Sequence, residues 1–149
     1  MKRTLMLALS AVLLVAASSN VSAQEKAGKI RIAMLVKSLG NGFFDAARDG
    51  GQEAAKQLGD VELIYTGPTS PTAEGQIDLI NSLVAQKVDA IVISANDPSA
   101  LIPATKRAME RGVKVISFDS GIAKAGRLMH LNPSNVALIG EKQIDMISK

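Results

Sequence analysis

Residues 90–98 read AIVISANDP. The first five are apolar except for Ser94, and three of them are β-branched aliphatics. They show no alternation of apolar and polar positions. A strand with one face in water alternates; a strand buried on both faces does not. Strands of the second kind belong to parallel sheets covered by helices, so helical segments are expected on either side of this run.

The chain supplies them in both directions. Downstream, Ser99–Arg111 reads as a helix, provided Pro103 lies in its first turn, and Gly112 ends it. Lys114–Phe118 (KVISF) is the next strand, Leu128–Leu131 a short one, and Val136–Ser148 a final helix. Upstream, a helix reaching to about Gln86 puts Ala73, Ile77, Ile80, Leu83 and Val84 on one side. Ser70 is its expected N-cap and Pro71 its first position. Val61–Tyr65 is a strand. Phe43–Leu58 is a helix with an apolar stripe of Phe44, Ala47, Gly51, Ala54, Ala55 and Leu58, closed by Gly59. Lys29–Val36 is the first strand. Alternation of this kind specifies an α/β fold: an open, doubly wound parallel sheet with helices on both faces and right-handed crossovers.

Open sheets of this type bind ligands beyond the carboxyl ends of their strands. The segments that matter are therefore 37–44, 66–70, 95–98, 119–121 and 132–134. In the first, GNGFFD (residues 40–45) imitates the dinucleotide fingerprint GxGxxG. Asp45 stands where the third glycine should, and the second strand ends Ile64-Tyr65-Thr66 without an acid for a ribose hydroxyl. No nucleotide cofactor is expected, nor any other.

Phe43 and Phe44 are two of only three phenylalanines in a chain with one tyrosine and no tryptophan. Neighbours on a helix point about 100° apart. Phe44 falls on the stripe with the core, which frees Phe43 to lie over the strand ends. An aromatic face there suits the apolar C–H face of a sugar ring. Polar partners for the hydroxyls are at hand: Asp119 directly after the fourth strand, Lys37 after the first, and Asn41, Asn96 and Asn132 on the neighbouring loops. Each of these residues also has an ordinary loop or turn role. The signal is their convergence on one edge.

Lys2 and Arg3 precede an apolar run from Leu5 to Ala17, and Val21-Ser22-Ala23 has the small-x-small pattern of a cleavage site. Residues 1–23 therefore read as a signal peptide and 24–149 as the mature segment. The apolar run is shorter than the ~20 residues of a membrane span. With no cysteine there is no disulfide and no N-terminal lipid anchor through cysteine. A free periplasmic protein fits. Lys2 and Arg3 account for two of the 17 basic side chains, so the mature segment is near neutral against its 14 acidic ones. Nucleic acid is not an expected partner. The single histidine, His130, reads as structural, and no catalytic set or metal-ligand spacing is visible.

The motifs KSLGNGFFDAARDG, YTGPTSPTAEGQIDLINSLVAQKVDAIVISANDP and RGVKVISFDS run through nearly all of the mature segment. Together they resemble the periplasmic sugar-binding proteins of ABC importers, of the ribose-binding type. Within that family the chain is most similar to the branches that bind rhamnose and the furanosyl quorum-sensing autoinducer. The resemblance implies ligand-binding roles for Asn41, Phe43, Phe44 and Asp119. It also implies a Lys37–Asp119 pair of the autoinducer type. Ser120 stands where ribose binders carry arginine, which argues against ribose, and Asn41 favours the rhamnose type. Rhamnose or a similar deoxyhexose ranks first and the autoinducer second.

The implied partners are the sugar, the membrane permease and a chemoreceptor, with the binding protein itself a monomer. Family members have two hinged lobes, and residues 24–149 correspond to the first, with the second expected to be lacking. An exported enzyme on the same fold would need an acid/base set. A sugar-responsive repressor would carry a DNA-binding helix pair where the leader stands.

Overall fold

The computed structural model describes residues 28–148, so the expected signal peptide, residues 1–23, lies outside the described residues. Among the described residues no helix is long and apolar enough to cross a membrane. The elements are β1 (Ile30–Leu35), α1 (Gly42–Leu58), β2 (Val61–Thr66), α2 (Ala73–Ala85) and β3 (Ala90–Ile93). They continue with α3 (Ile102–Glu110), β4 (Lys114–Phe118), a 3-10 turn at Lys124–Gly126, β5 (Met129–Leu131) and α4 (Val136–Ile147). The five strands form one sheet in the order β2-β1-β3-β4-β5, and every neighbouring pair is parallel.

The two faces of the sheet are covered differently. Ala33, Leu35, Ile91, Ile93 and Val115 point to one face and pack against Ile80 and Leu83 of α2 and Ala104 and Ala108 of α3. Val36, Phe44 and Phe118 form a smaller cluster on the other face with Met34, Ala47, Tyr65 and Val92, under α1. Successive side chains of a strand alternate between faces, so the continuous apolar run AIVI feeds both clusters at once. The chain winds from β1 to β2 in one direction and from β2 to β3 in the other. The reversal places a topological switch point between β1 and β3.

Local chemistry explains most element boundaries. Asn41 is extended (φ −100°, ψ 120°), and its side chain caps α1 by accepting from the Phe43 amide. Gly59 ends α1 at φ 80°, a left-handed conformation open to glycine. Gly51 lets the helix sit close to the sheet, since a Cβ there would meet Leu63 at 2.8 Å and Met34 at 3.1 Å.

Three expectations need correction. The N-cap of α2 is Thr72 rather than Ser70: the Thr72 hydroxyl accepts from the Gly75 amide at 3.2 Å, and helical hydrogen bonding begins only there. Helix α3 starts at Ile102, three residues later than expected, because residues 99–101 form a turn and Pro103 sits within the first two helical positions. The stripe of α1 is narrower than drawn. Phe44 is its only buried residue, Ala54 is exposed and Leu58 is 67 % exposed. Ala54 lies about 80° from the Phe44 direction at 100° per residue, and Leu58 falls in the last turn, beside the edge strand β2.

Candidate functional site at the carboxyl ends of the strands

Strands β1 and β3 part company at a definite place. The Ser94 amide donates to the Leu35 carbonyl at 3.0 Å, which continues the ladder between them. The next residues, Val36 and Ala95, face the outer neighbours as alternate residues of central strands do. The Val36 amide bonds to Thr66 on the β2 side (2.9 Å) and the Ala95 amide to Ser120 on the β4 side (2.9 Å), while the β1–β3 pairing ends at Leu35 and Ile93. The split opens at the switch point, and Lys37, Asn96 and Asp119 lie around it.

Asp119 is the centre of the arrangement. Its side chain is 31 % exposed, and its Oδ2 accepts a 2.7 Å hydrogen bond from the Ser94 hydroxyl. Lys37 Nζ stands 3.8 Å from the same oxygen and is exposed to a similar degree, 34 %. An ion pair this open contributes at most about 1 kcal/mol; its value lies in orienting a cation and an anion side by side. Oδ2 is committed to these two groups, so Oδ1 is the oxygen offered outward. The Asp119 backbone adopts φ 54°. That conformation is uncommon for a residue with a Cβ, although aspartate tolerates it better than most.

The aromatic element belongs to the same edge of the sheet. Phe44 is 3 % exposed and meets Phe118 edge-on, with ring centroids 6.2 Å apart. Phe43 packs edge-on against Phe44 at 5.2 Å and is 52 % exposed. Phe118 directly precedes Asp119. The structure therefore brings Phe43, Lys37 and Asp119 to one edge, and it places Phe44 beneath them as packing rather than as a presented face.

The asparagines divide. Asn41 is exposed at the start of α1, and its Oδ1 is taken by the cap, which leaves its Nδ2. Asn96 ties loops together: its Nδ2 donates to the Lys37 carbonyl at 2.9 Å and to the Thr72 carbonyl at 3.1 Å. Asn132 is exposed in the loop after β5 and is not joined to the others. His130 shares a 3.0 Å hydrogen bond with the buried Ser117 hydroxyl and packs beneath Gly121, in keeping with a structural part.

Sequence reading missed Ser94 and Gln76, both fully buried. Each carried a signal. Ser94 is the one polar residue closing an apolar strand, and Gln76 falls at helical spacing among Ala73, Ile77, Ile80 and Leu83. Two concavities lie at the opposite ends of the strands. One is lined by Lys29, Lys56, Gly59 and Val61, the other by Lys87, Val88, Gly112 and Val113. Neither touches the residues around Asp119. Among the described residues no cluster of histidine, aspartate or glutamate could hold a metal ion.

The model of the periplasmic binding protein domain matches residues 32–149. The D-ribose/D-allose-binding protein of Pseudomonas aeruginosa is 36 % identical over 118 residues, covering 75 % of this chain and 37 % of that protein. Two solved structures share the fold. One is the autoinducer AI-2 complex of LsrB from Clostridium saccharobutylicum (TM-score 0.74, 28 % identity, 78 % of this chain and 36 % of that one). The other is an ABC transporter solute-binding protein from Clostridium phytofermentas with bound L-rhamnose (TM-score 0.71, 33 % identity, 80 % and 37 %). The chain spans less than half the length of the curated relatives it matches.

Proposed function

The chain belongs to the periplasmic binding protein domain family, and on that premise we propose that it forms the N-terminal lobe, residues 24–149, of a protein that captures a sugar in the periplasm and hands it to an ABC permease. The observation that carries the reading is Asp119 itself. A carboxylate is held by Ser94 at 2.7 Å and Lys37 at 3.8 Å, at a strand split, with one oxygen left for a further partner and an exposed Phe43 on the same edge of the sheet.

Each part has a task. Asp119 Oδ1 accepts hydroxyl hydrogen bonds, which are strengthened by its charge. Lys37 and the free Nδ2 of Asn41 donate to ring or hydroxyl oxygens. Phe43 covers an apolar face of the sugar. Asn96 positions the Lys37 loop, and Asn132 lines the far end of the same edge. Capture and release involve no bond chemistry. A one-sided wall leaves half of a ligand hydrated, so tight capture requires a second lobe to close over it.

A deoxyhexose of the rhamnose type is the first candidate ligand, supported by Asn41 ahead of Phe43 and by Ser120 after Asp119. The second is the furanosyl autoinducer, favoured by the Lys37–Asp119 pair. The test is calorimetric titration of the full-length protein and its Asp119→Ala variant with L-rhamnose, D-ribose and the autoinducer. Loss of two charge-assisted hydrogen bonds at about 1.5 kcal/mol each or more weakens binding roughly 100-fold or beyond. Unchanged affinity in a folded variant removes Asp119 from the site, and turnover of any bound sugar replaces transport with catalysis.

A further inference from the structure

We infer that Gln76 is the positioning residue of the sugar site, a single buried amide that sets the spacing of the Lys37 and Asp119 loops. The inference rests on the functional reading above and names a residue that touches no ligand.

Gln76 lies on α2, has no exposed surface and sits where an apolar residue would satisfy the helix pattern. Its side chain reaches into the split between β1 and β3. Nε2 donates to the Val36 carbonyl at 3.1 Å and to the Ser94 carbonyl at 2.8 Å. Oε1 accepts from the Asn96 amide at 2.8 Å. Val36 and Ser94 stand at the end of the ladder that the two strands share: the paired register closes at Leu35 and Ile93, and the Ser94 amide still donates to the Leu35 carbonyl. Without Gln76, two buried carbonyls and one amide lose their partners, a situation native interiors avoid.

The same three groups border the site. Val36 precedes Lys37. Ser94 holds Asp119 through its hydroxyl. Asn96, whose amide Gln76 receives, passes its own Nδ2 to the Lys37 carbonyl. One amide therefore fixes the backbone beneath the cation, the backbone beneath the residue that orients the anion, and the asparagine linking them. A helix-borne, fully satisfied group is a rigid anchor for a site made of loops. Either amide hydrogen lost lets the split widen or close, and the Lys37–Asp119 separation changes with it.

The test uses the full-length protein with Gln76→Met, which keeps length and bulk without polar atoms, and Gln76→Glu, which keeps the acceptor for Asn96 and loses both donations. L-rhamnose and D-ribose are the probes. Both variants are expected to bind whichever sugar the wild type binds at least about tenfold more weakly per folded molecule. In the ligand-free protein, the amide resonances of Asp119 and Phe43, which Gln76 does not touch, are expected to shift, while those of Lys29 and Val113 at the opposite end of the strands stay in place. A residue that only supports the fold would lower the melting temperature and leave those resonances and the affinity alone, which overturns the inference. Should the wild type bind neither sugar, the functional reading falls, and the resonances of the ligand-free protein still decide the role of Gln76. Should neither variant fold, the wild-type Gln76 side-chain amide decides it. Exchange with solvent as slow as that of the Asn96 amide supports the anchor, and fast exchange refutes it.

Discussion

Replacing Ser94 with alanine isolates the contact that holds Asp119. The hydroxyl is fully buried and donates to Oδ2 at 2.7 Å, a short bond to a charged acceptor. Such bonds contribute about 1.5–3 kcal/mol. The Asp119 side chain is 31 % exposed, so water replaces part of what is lost, and Lys37 at 3.8 Å continues to screen the charge. The expected destabilisation is therefore at the lower end, about 1–2 kcal/mol, a tolerable fraction of the 5–15 kcal/mol typical of a folded domain. For a body of this size that is a fall in melting temperature of roughly 3–10 °C. The assay is a thermal and urea unfolding cycle on wild type, Ser94→Ala, Asp119→Ala and the double variant. In the Asp119→Ala background the hydroxyl has lost its acceptor, so removing it brings no further loss. The expected coupling is about 1–2 kcal/mol. Losses that add to within about 0.3–0.5 kcal/mol, the scatter of independent sites, would refute the claim that Ser94 acts through Asp119.

The two adjacent phenylalanines should separate cleanly. Phe43→Ala, at a 52 % exposed position, is expected to weaken sugar binding with little change in unfolding free energy, whereas Phe44→Ala removes a 3 % exposed ring and should destabilise the fold by about 3–5 kcal/mol. Equal effects of the two on stability would contradict the division, and paired calorimetry and urea titration read it. Asp97 accepts from the Ala100 and Ser99 amides, and those bonds hold its carboxyl below its ordinary value of 3.8. A lowered folded value means stability that is full above the ordinary value and lost as pH falls through the folded one. The melting-temperature gap between wild type and Asp97→Ala should thus be constant near neutrality and close only below about pH 4; a gap that persists in acid refutes this.

The β-α alternation, the order of the elements and the edge of the sheet that carries the polar residues were all legible in the sequence. Each rests on a local rule: apolar runs without alternation for doubly buried strands, 3.6-residue periodicity for helices, and Gly59 and Gly112 at the helix ends. Boundaries were less legible where two capping groups compete. Ser70 and Thr72 are equivalent on paper, and only the path of the loop puts the Thr72 oxygen against the Gly75 amide. The same limit applied to the stripe of α1, since whether Leu58 is covered depends on how far the sheet extends beneath it.

Lys37, Phe43 and Asp119, the proposed ligand contacts, were singled out because residue type and position after a strand point to them without tertiary information. Their supports could not be found that way. Ser94 and Gln76 act on groups 25 and 18–40 residues away in sequence, and a polar side chain in an apolar pattern does not announce its partner. Asn41 and Asn96 look alike as loop asparagines, yet one caps a helix and the other ties two loops. The sequence by itself determined the class of fold and the edge of the sheet that gathers the polar loop residues, because burial periodicity and strand termini are properties of short segments. Only the tertiary structure decided which oxygen of Asp119 is held, which phenylalanine is covered and which amide spans the split between β1 and β3, because hydrogen bonds across a switch point join groups that the chain itself keeps far apart.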